Sequence, residues 1–195
     1  MGWREDIVEL SEILNPKWMG INNAISIGEL FEKLRPQRLL EIGTLQGTGS
    51  CYIGTMAKYY GGSLITIDIP WSSSANFLER GFVLAESQIE MCSINNVEII
   101  RREDGAEGWF LDYFNDGNRK PFDFIYIDGG HRWFNITSQM FCSMASLCYG
   151  GWIVVDDINH DGWPDVGVAW KQLKLLMGTN YEKNGQGFIR KETNG

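Results

Sequence analysis

Residues 38–50 read Arg38-Leu39-Leu40-Glu41-Ile42-Gly43-Thr44-Leu45-Gln46-Gly47-Thr48-Gly49-Ser50. The first five form a short apolar run, the pattern of a strand covered on both faces. Gly43, Gly47 and Gly49 let the chain turn sharply, and residues 47–59 then carry helical spacing. A buried strand that feeds a helix through a glycine loop is the opening unit of a layered α/β fold.

The same alternation continues downstream. Strands are expected at 63–67, 97–100, 122–127 (Phe-Asp-Phe-Ile-Tyr-Ile) and 152–155, with helices at 77–92, 106–114 and 132–147 between them. Five rounds predict a Rossmann-like three-layer sandwich with a mostly parallel central sheet and right-handed crossovers. Upstream, Ile7, Leu10 and Leu14 mark a helix over 3–14 that Asn15-Pro16 ends. A second helix over 24–34 stops before Pro36. In the tail, 166–177 reads as a helix and 187–191 as a last edge strand. The expectation is one domain: a helical cap (1–35), a ligand-binding core (36–157) and C-terminal elements (158–195).

Composition narrows the function. The chain has 195 residues, 25 acidic against 17 basic side chains, a net charge of −8 and a pI near 4.8. Duplex nucleic acid is a poor partner for such a surface, because its non-specific binding needs Lys and Arg on phosphates. The four cysteines have no CxxC spacing and read as buried thiols in a reducing compartment. No apolar run reaches the ~18 residues that span a bilayer. These features predict a cytoplasmic protein with no membrane or nucleic-acid partner.

In an open α/β sheet, ligands bind beyond the carboxyl ends of the strands. After the first strand the spacing is E-x-G-x-x-x-G-x-G, wider than the G-x-G-x-x-G of a dinucleotide site. The acid Glu41 suits a cationic amine better than a phosphate. The second strand ends in Ile67-Asp68-Ile69, where a carboxylate is placed to accept ribose hydroxyls. Strand four ends in Ile127-Asp128-Gly129-Gly130-His131 and strand five in Val155-Asp156-Asp157. If those strands are neighbours, three carboxylates meet at one mouth of the sheet. Oxygen-only ligands with room for water suit Mg²⁺ better than Zn²⁺. The plainer alternatives stay open: turn-forming glycines, Asp68 capping a loop, Asp157 capping a helix, and Asp156 in solvent.

Taken together, the loop over 41–49, Asp68, Ile-Asp-Gly-Gly-His at 127–131 and Gly-Gly-Trp-Ile-Val-Val-Asp-Asp at 150–157 resemble class I S-adenosylmethionine-dependent methyltransferases. The nearest branch is that of the metal-dependent O-methyltransferases, which includes catechol-type enzymes and relatives that methylate sugars or antibiotics. The resemblance runs in order over roughly residues 24–157. It implies that Gly43, Thr44, Gly47 and Gly49 line the methionine part of S-adenosylmethionine and that Glu41 sits near its amino group. It places the ribose at Asp68 and Ile69 and the adenine beside Asp104 and Gly105. Asp128, Asp156 and Asp157 fall on the three metal-ligand positions, with 156 − 128 = 28 residues between the first two.

Two departures steer away from catechol as the acceptor. Catechol-type enzymes carry Asn where this chain has Asp157, and Lys where it has His131. The implied reaction is methyl transfer to a hydroxyl of a small molecule, assisted by Mg²⁺ or another divalent cation, with His131 or Asp128 as the catalytic base. His131 has an alternative reading as a cap of the next helix. Trp71, Trp133 and Trp163 are candidate walls of the acceptor or adenine pocket. The resemblance also allows a homo-oligomer built through the N-terminal helices. Rival readings are a metal-independent or N-directed methyltransferase, a nicotinamide-type oxidoreductase, and a domain that binds the cofactor without turnover.

Overall fold

Arg38–Ile42 forms β1 as expected, and its side chains alternate between two separate cores. The computed structural model describes residues 2–14, 18–70 and 84–192. The remaining strands are β2 (Ser63–Asp68), β3 (Val97–Arg101), β4 (Phe122–Ile127), β5 (Leu147–Val155), β6 (Asn180–Lys183) and β7 (Gln186–Arg190). The helices are α1 (Trp3–Ile13), α2 (Ile21–Leu34), α3 (Thr48–Lys58), α4 (Ala85–Met91), α5 (Gly105–Asn115), α6 (Trp133–Ser146) and α7 (Pro164–Leu176). Trp71 and the first part of the helix expected over 77–92 lie outside the described residues.

One sheet runs β3-β2-β1-β4-β5-β7-β6, with β1 to β5 parallel and the last two strands antiparallel. Leu39, Phe124, Tyr126 and Val154 face α1 to α4, while Leu40, Ile125, Ile127 and Ile153 face α5 to α7. All eight are essentially shielded from solvent. Burying an aliphatic side chain of this size stabilises the fold by about 1.5–3 kcal/mol. Continuous apolar strands are therefore what a sheet covered on both faces requires.

Local signals set the helix ends. Glu5 reaches back to the Gly2 amide at 2.8 Å to open α1, and Pro164 starts α7. At the end of α2, Arg35 turns left-handed immediately before Pro36.

The tail departs from the sequence reading. The strand at 186–190 is an inner strand, hydrogen-bonded to β5 on one side and β6 on the other. The true edge, β6, carries Asn180-Tyr-Glu-Lys183, exposed throughout, so burial leaves no periodic trace in its sequence. β5 also begins five residues earlier than expected. Gly150 and Gly151 sit inside the strand, where a Cβ on Gly151 would press on the Asp123 carbonyl at 2.9 Å.

The strand order reverses between β1 and β4, which leaves a crevice at their carboxyl ends. Ladder bonds continue one residue past the strands: the Gly43 amide donates to Ile67, Asp128 to Ile42 and Asp156 to Ile127, each at 2.9 Å. Gly43, Asp128 and Asp156 are thereby held in line along one rim. No helix among the described residues is long and apolar enough to cross a membrane.

Candidate active site

Above that rim lies a cavity of about 860 Å³, within the size range of small-molecule sites. Of the residues expected to bind cofactor or metal, Gly43, Asp68, Ile69, Gly105, Asp128, Asp156 and Asp157 line it, as does His131, expected as a base. Glu41, Thr44, Gly47, Gly49 and Asp104 do not.

The reasons are local. Strand alternation turns Glu41 beneath the loop, where it is 1% exposed. Its carboxylate accepts hydrogen bonds from the Ser50 hydroxyl and, at 2.6 Å, from that of Thr66. Thr44 closes this buried ladder through its hydroxyl contact with Thr66 at 2.7 Å. Burial pushes the Glu41 carboxyl up to about 7.

The glycines permit close packing around the loop. A Cβ on Gly49 would stand 2.4 Å from Glu41 Oε1, and one on Gly47 would be 3.1 Å from Ala85 Cβ. Gly43 has φ +99°, and a Cβ there would lie 2.0 Å from the Asp128 carbonyl oxygen. That close approach is what brings the ends of β1 and β4 together.

Asp68 lies on the cavity wall at the end of β2. Its two oxygens accept the backbone N–H groups of Leu45 and Ile69, each at 2.7 Å, so the acid also fixes the loop. Arg101 stands 3.8 Å away. Burial outweighs these partners and raises the Asp68 carboxyl above the usual range.

Asp104 is turned out of the cavity. Arg102, two residues earlier, grips it with two bonds of 2.7 and 2.8 Å. The acid that lines the cavity on this side is Glu107, in the first turn of α5, whose Oε1 accepts from Ser138 at 3.1 Å and Gln139 at 3.4 Å. Sequence reasoning missed Glu107. The competing arginine beside Asp104 was the available signal.

At the other end, Asp128, His131 and Asp157 converge. One ligand-type atom from each lies within 4.8 Å of the others. His131 Nε2 is 3.3 Å from Asp157 Oδ2 and 3.9 Å from Asp128 Oδ1, yet it is buried and makes no aligned hydrogen bond. Burial first, then the charges of Asp156 and Asp157, raise the Asp128 carboxyl well above its usual range. Asp157 has φ +59°, a conformation that costs a non-glycine residue about 1–3 kcal/mol and concentrates at functional sites.

Asp156 lines the cavity, but its Oδ2 accepts from the Tyr126 hydroxyl and from Gln186 Nε2 at 3.4 Å. Its Oδ1 accepts from the Asp157 amide at 2.9 Å and Asn23 Nδ2 at 3.5 Å. With four donors it also ties together α2, β4 and β7, while His131 stands beside Asp128 and Asp157.

Aromatic rings wall the cluster. Trp163 stacks on His131 with centroids 4.5 Å apart and on His160 at 6.0 Å; both it and Trp18 line the cavity. Trp133 does not line it; its amide donates to Asp165 at 2.9 Å, which joins the starts of α6 and α7.

A family model described as a methyltransferase domain matches residues 40–158, which span β1 through the Asp156-Asp157 pair. The chain belongs to this methyltransferase family. The methyltransferase is similar in fold to an O-methyltransferase from Bacillus cereus solved with SAH (19% identity, TM-score 0.68, covering 97% of this chain and 90% of that one). It is similar to a putative caffeoyl-CoA O-methyltransferase from Staphylococcus aureus (18%, 0.71, 96% and 91%). A third likeness is TomG from Streptomyces achromogenes, an O-methyltransferase involved in tomaymycin synthesis, solved with SAM (17%, 0.67, 97% and 90%). No curated protein matches the chain in sequence.

Proposed function

We propose that this methyltransferase uses S-adenosylmethionine to methylate a hydroxyl of a small molecule, with a divalent cation held at Asp128 and Asp157. The observation that carries the reading is the sharing of one cavity by Asp68 at one end and the Asp128–Asp157 cluster at the other. The O-methyltransferases similar in fold, two of them solved with SAH or SAM, support both the cofactor and the oxygen acceptor.

The residues present fit these groups. Gln139 lines the cavity with an unpartnered, buried Oε1, and His131 Nε2 is in the same state, so donor-rich or electrophilic guests have receptors waiting. Asp68 would take the ribose hydroxyls. When bound, the sulfonium supplies an electrophilic methyl group and leaves as a neutral thioether. When bound, a divalent cation makes a neighbouring hydroxyl more acidic and helps orient it.

The chain's own side chains do the rest. Trp18, Trp163 and His160 contribute to the cavity wall. Holding the acceptor in line with the methyl group is the main contribution, since alignment alone is worth about 7–11 kcal/mol in well-oriented reactions. Two groups of this cluster are able to take the hydroxyl proton, Asp128 and His131.

Calorimetry with S-adenosylhomocysteine tests the cofactor reading. Binding should appear in the wild type and weaken about 10- to 100-fold in Asp68→Asn, the loss expected for hydrogen bonds to a charged group. Wild-type protein that binds none would overturn the proposal. An acceptor screen run with and without divalent metal then tests the rest.

A further inference from the structure

We infer that Gln139 of α6 reads the base of the cofactor: its side-chain oxygen accepts from the 6-amino group of adenine, so the site selects a 6-aminopurine nucleoside over a 6-oxopurine one. The inference rests on the S-adenosylmethionine reading of this cavity. It deepens that reading by naming the residue that chooses the base.

The observation that carries it is an unmet hydrogen bond. Gln139 is 5% exposed and still lines the cavity. Its Nε2 donates to Glu107 Oε1 at 3.4 Å, while its Oε1 has no partner. Buried polar atoms are nearly always paired, and an amide oxygen left without a donor costs stability. An unmet acceptor in a cavity wall is satisfied when a guest brings an N–H or O–H. The sequence keeps that acceptor open: a Cβ on Gly129 would stand 2.9 Å from Gln139 Oε1, so any side chain there would press on it.

Glu107 decides which end of the amide faces the guest. The two ends of a glutamine amide are alike in shape and opposite in hydrogen bonding. Turning this one over would set its oxygen against the Glu107 carboxylate, acceptor against acceptor. Glu107 Oε1 also receives the Ser138 hydroxyl at 3.1 Å and Asn135 Nδ2 at 3.5 Å. Three donors converge on that oxygen, and the amide is held with its own oxygen free. The wall therefore presents an acceptor, with no donor to exchange for it.

Position then names the guest group. A Cβ on Gly105 would lie 3.2 Å from Glu107 Oε2 and 3.6 Å from Ile69 Cγ2. The Glu107–Gln139 pair thus adjoins Gly105 and Ile69, the wall that continues from Asp68, where the ribose would sit. A base carried on that ribose has its amino edge within the same part of the cavity. Adenine brings N–H donors to Gln139 Oε1, whereas a 6-oxopurine brings a carbonyl oxygen and leaves both acceptors unpaired. Sites built around a hydrogen bond reject the analogue that cannot make it.

Calorimetry on the full-length protein compares S-adenosylhomocysteine with S-inosylhomocysteine, in which an oxo group replaces the 6-amino group. The wild type should bind the adenine compound at least about tenfold tighter, the loss expected for one buried acceptor left unpaired. In Gln139→Leu that margin should shrink to about threefold or less, chiefly through weaker binding of the adenine compound. Gln139→Met, unbranched and of similar length, should shrink it equally and serves if leucine disturbs α6. A wild type that binds both compounds alike overturns the inference, and so does a folded variant that keeps the wild-type margin. A wild type that binds neither compound strikes the cofactor reading itself, and this inference with it.

Discussion

Replacing Glu41 by Gln should flatten the pH dependence of this protein's stability. The side chain is fully enclosed, and burial raises its carboxyl from 4.5 to about 7. Between those values the folded state keeps a proton that the unfolded chain gives up. Stability from this group is therefore greatest below pH 4.5, declines as pH rises toward 7 and is level above it. At about 1.36 kcal/mol per pH unit, the decline amounts to about 3 kcal/mol, a large share of the ~5–15 kcal/mol that holds a domain together. Gln keeps a carbonyl oxygen to accept from Ser50 and Thr66 but does not titrate.

Urea unfolding of wild type and Glu41→Gln across pH 4.5 to 8 isolates the effect. The other buried acids, Asp68, Asp128 and Asp156, are raised in the same direction and contribute to both curves. The wild type should lose about 3 kcal/mol relative to the variant over that range. Parallel curves would refute the reasoning, because they would mean that Glu41 ionises in the fold as easily as in water.

Gly43→Ala should destabilise by about 2 kcal/mol or more, since it adds left-handed strain to a Cβ 2.0 Å from the Asp128 carbonyl; a urea midpoint unchanged from wild type would contradict this. Asp128→Asn should leave S-adenosylhomocysteine affinity within a few-fold of wild type while turnover falls by about a hundredfold or more, as seen by parallel calorimetry and methyl-transfer assays.

Much of the fold could be read because apolar strands such as Phe122-Asp-Phe-Ile-Tyr-Ile127 have no use except inside a covered sheet. β6 could not, because its four residues are all exposed and so carry no alternation of apolar and polar side chains. In the site, Asp68 and Asp128 were legible from their places at strand ends. The different surroundings of Asp156 and Asp157 were not: two adjacent acids look alike until the left-handed turn at Asp157 sets one beside His131 and leaves the other among Tyr126, Gln186 and Asn23. Glu41 was recoverable in principle. Leu40 and Ile42 face α5 to α7, so the residue between them must point the opposite way, under α3 and away from the cavity.

The anchoring of Asp156 ties the centre of the molecule to its late-synthesised end. Gln186 follows Tyr126 by 60 residues and Asp156 by 30. At about 5–20 residues per second on a ribosome, Gln186 is added roughly 3–12 s after Tyr126. A nascent chain can thus pair its first five strands while the carboxylate at their rim still lacks the Gln186 donor, and the crevice acquires its finished floor only when β7 slides in beside β5.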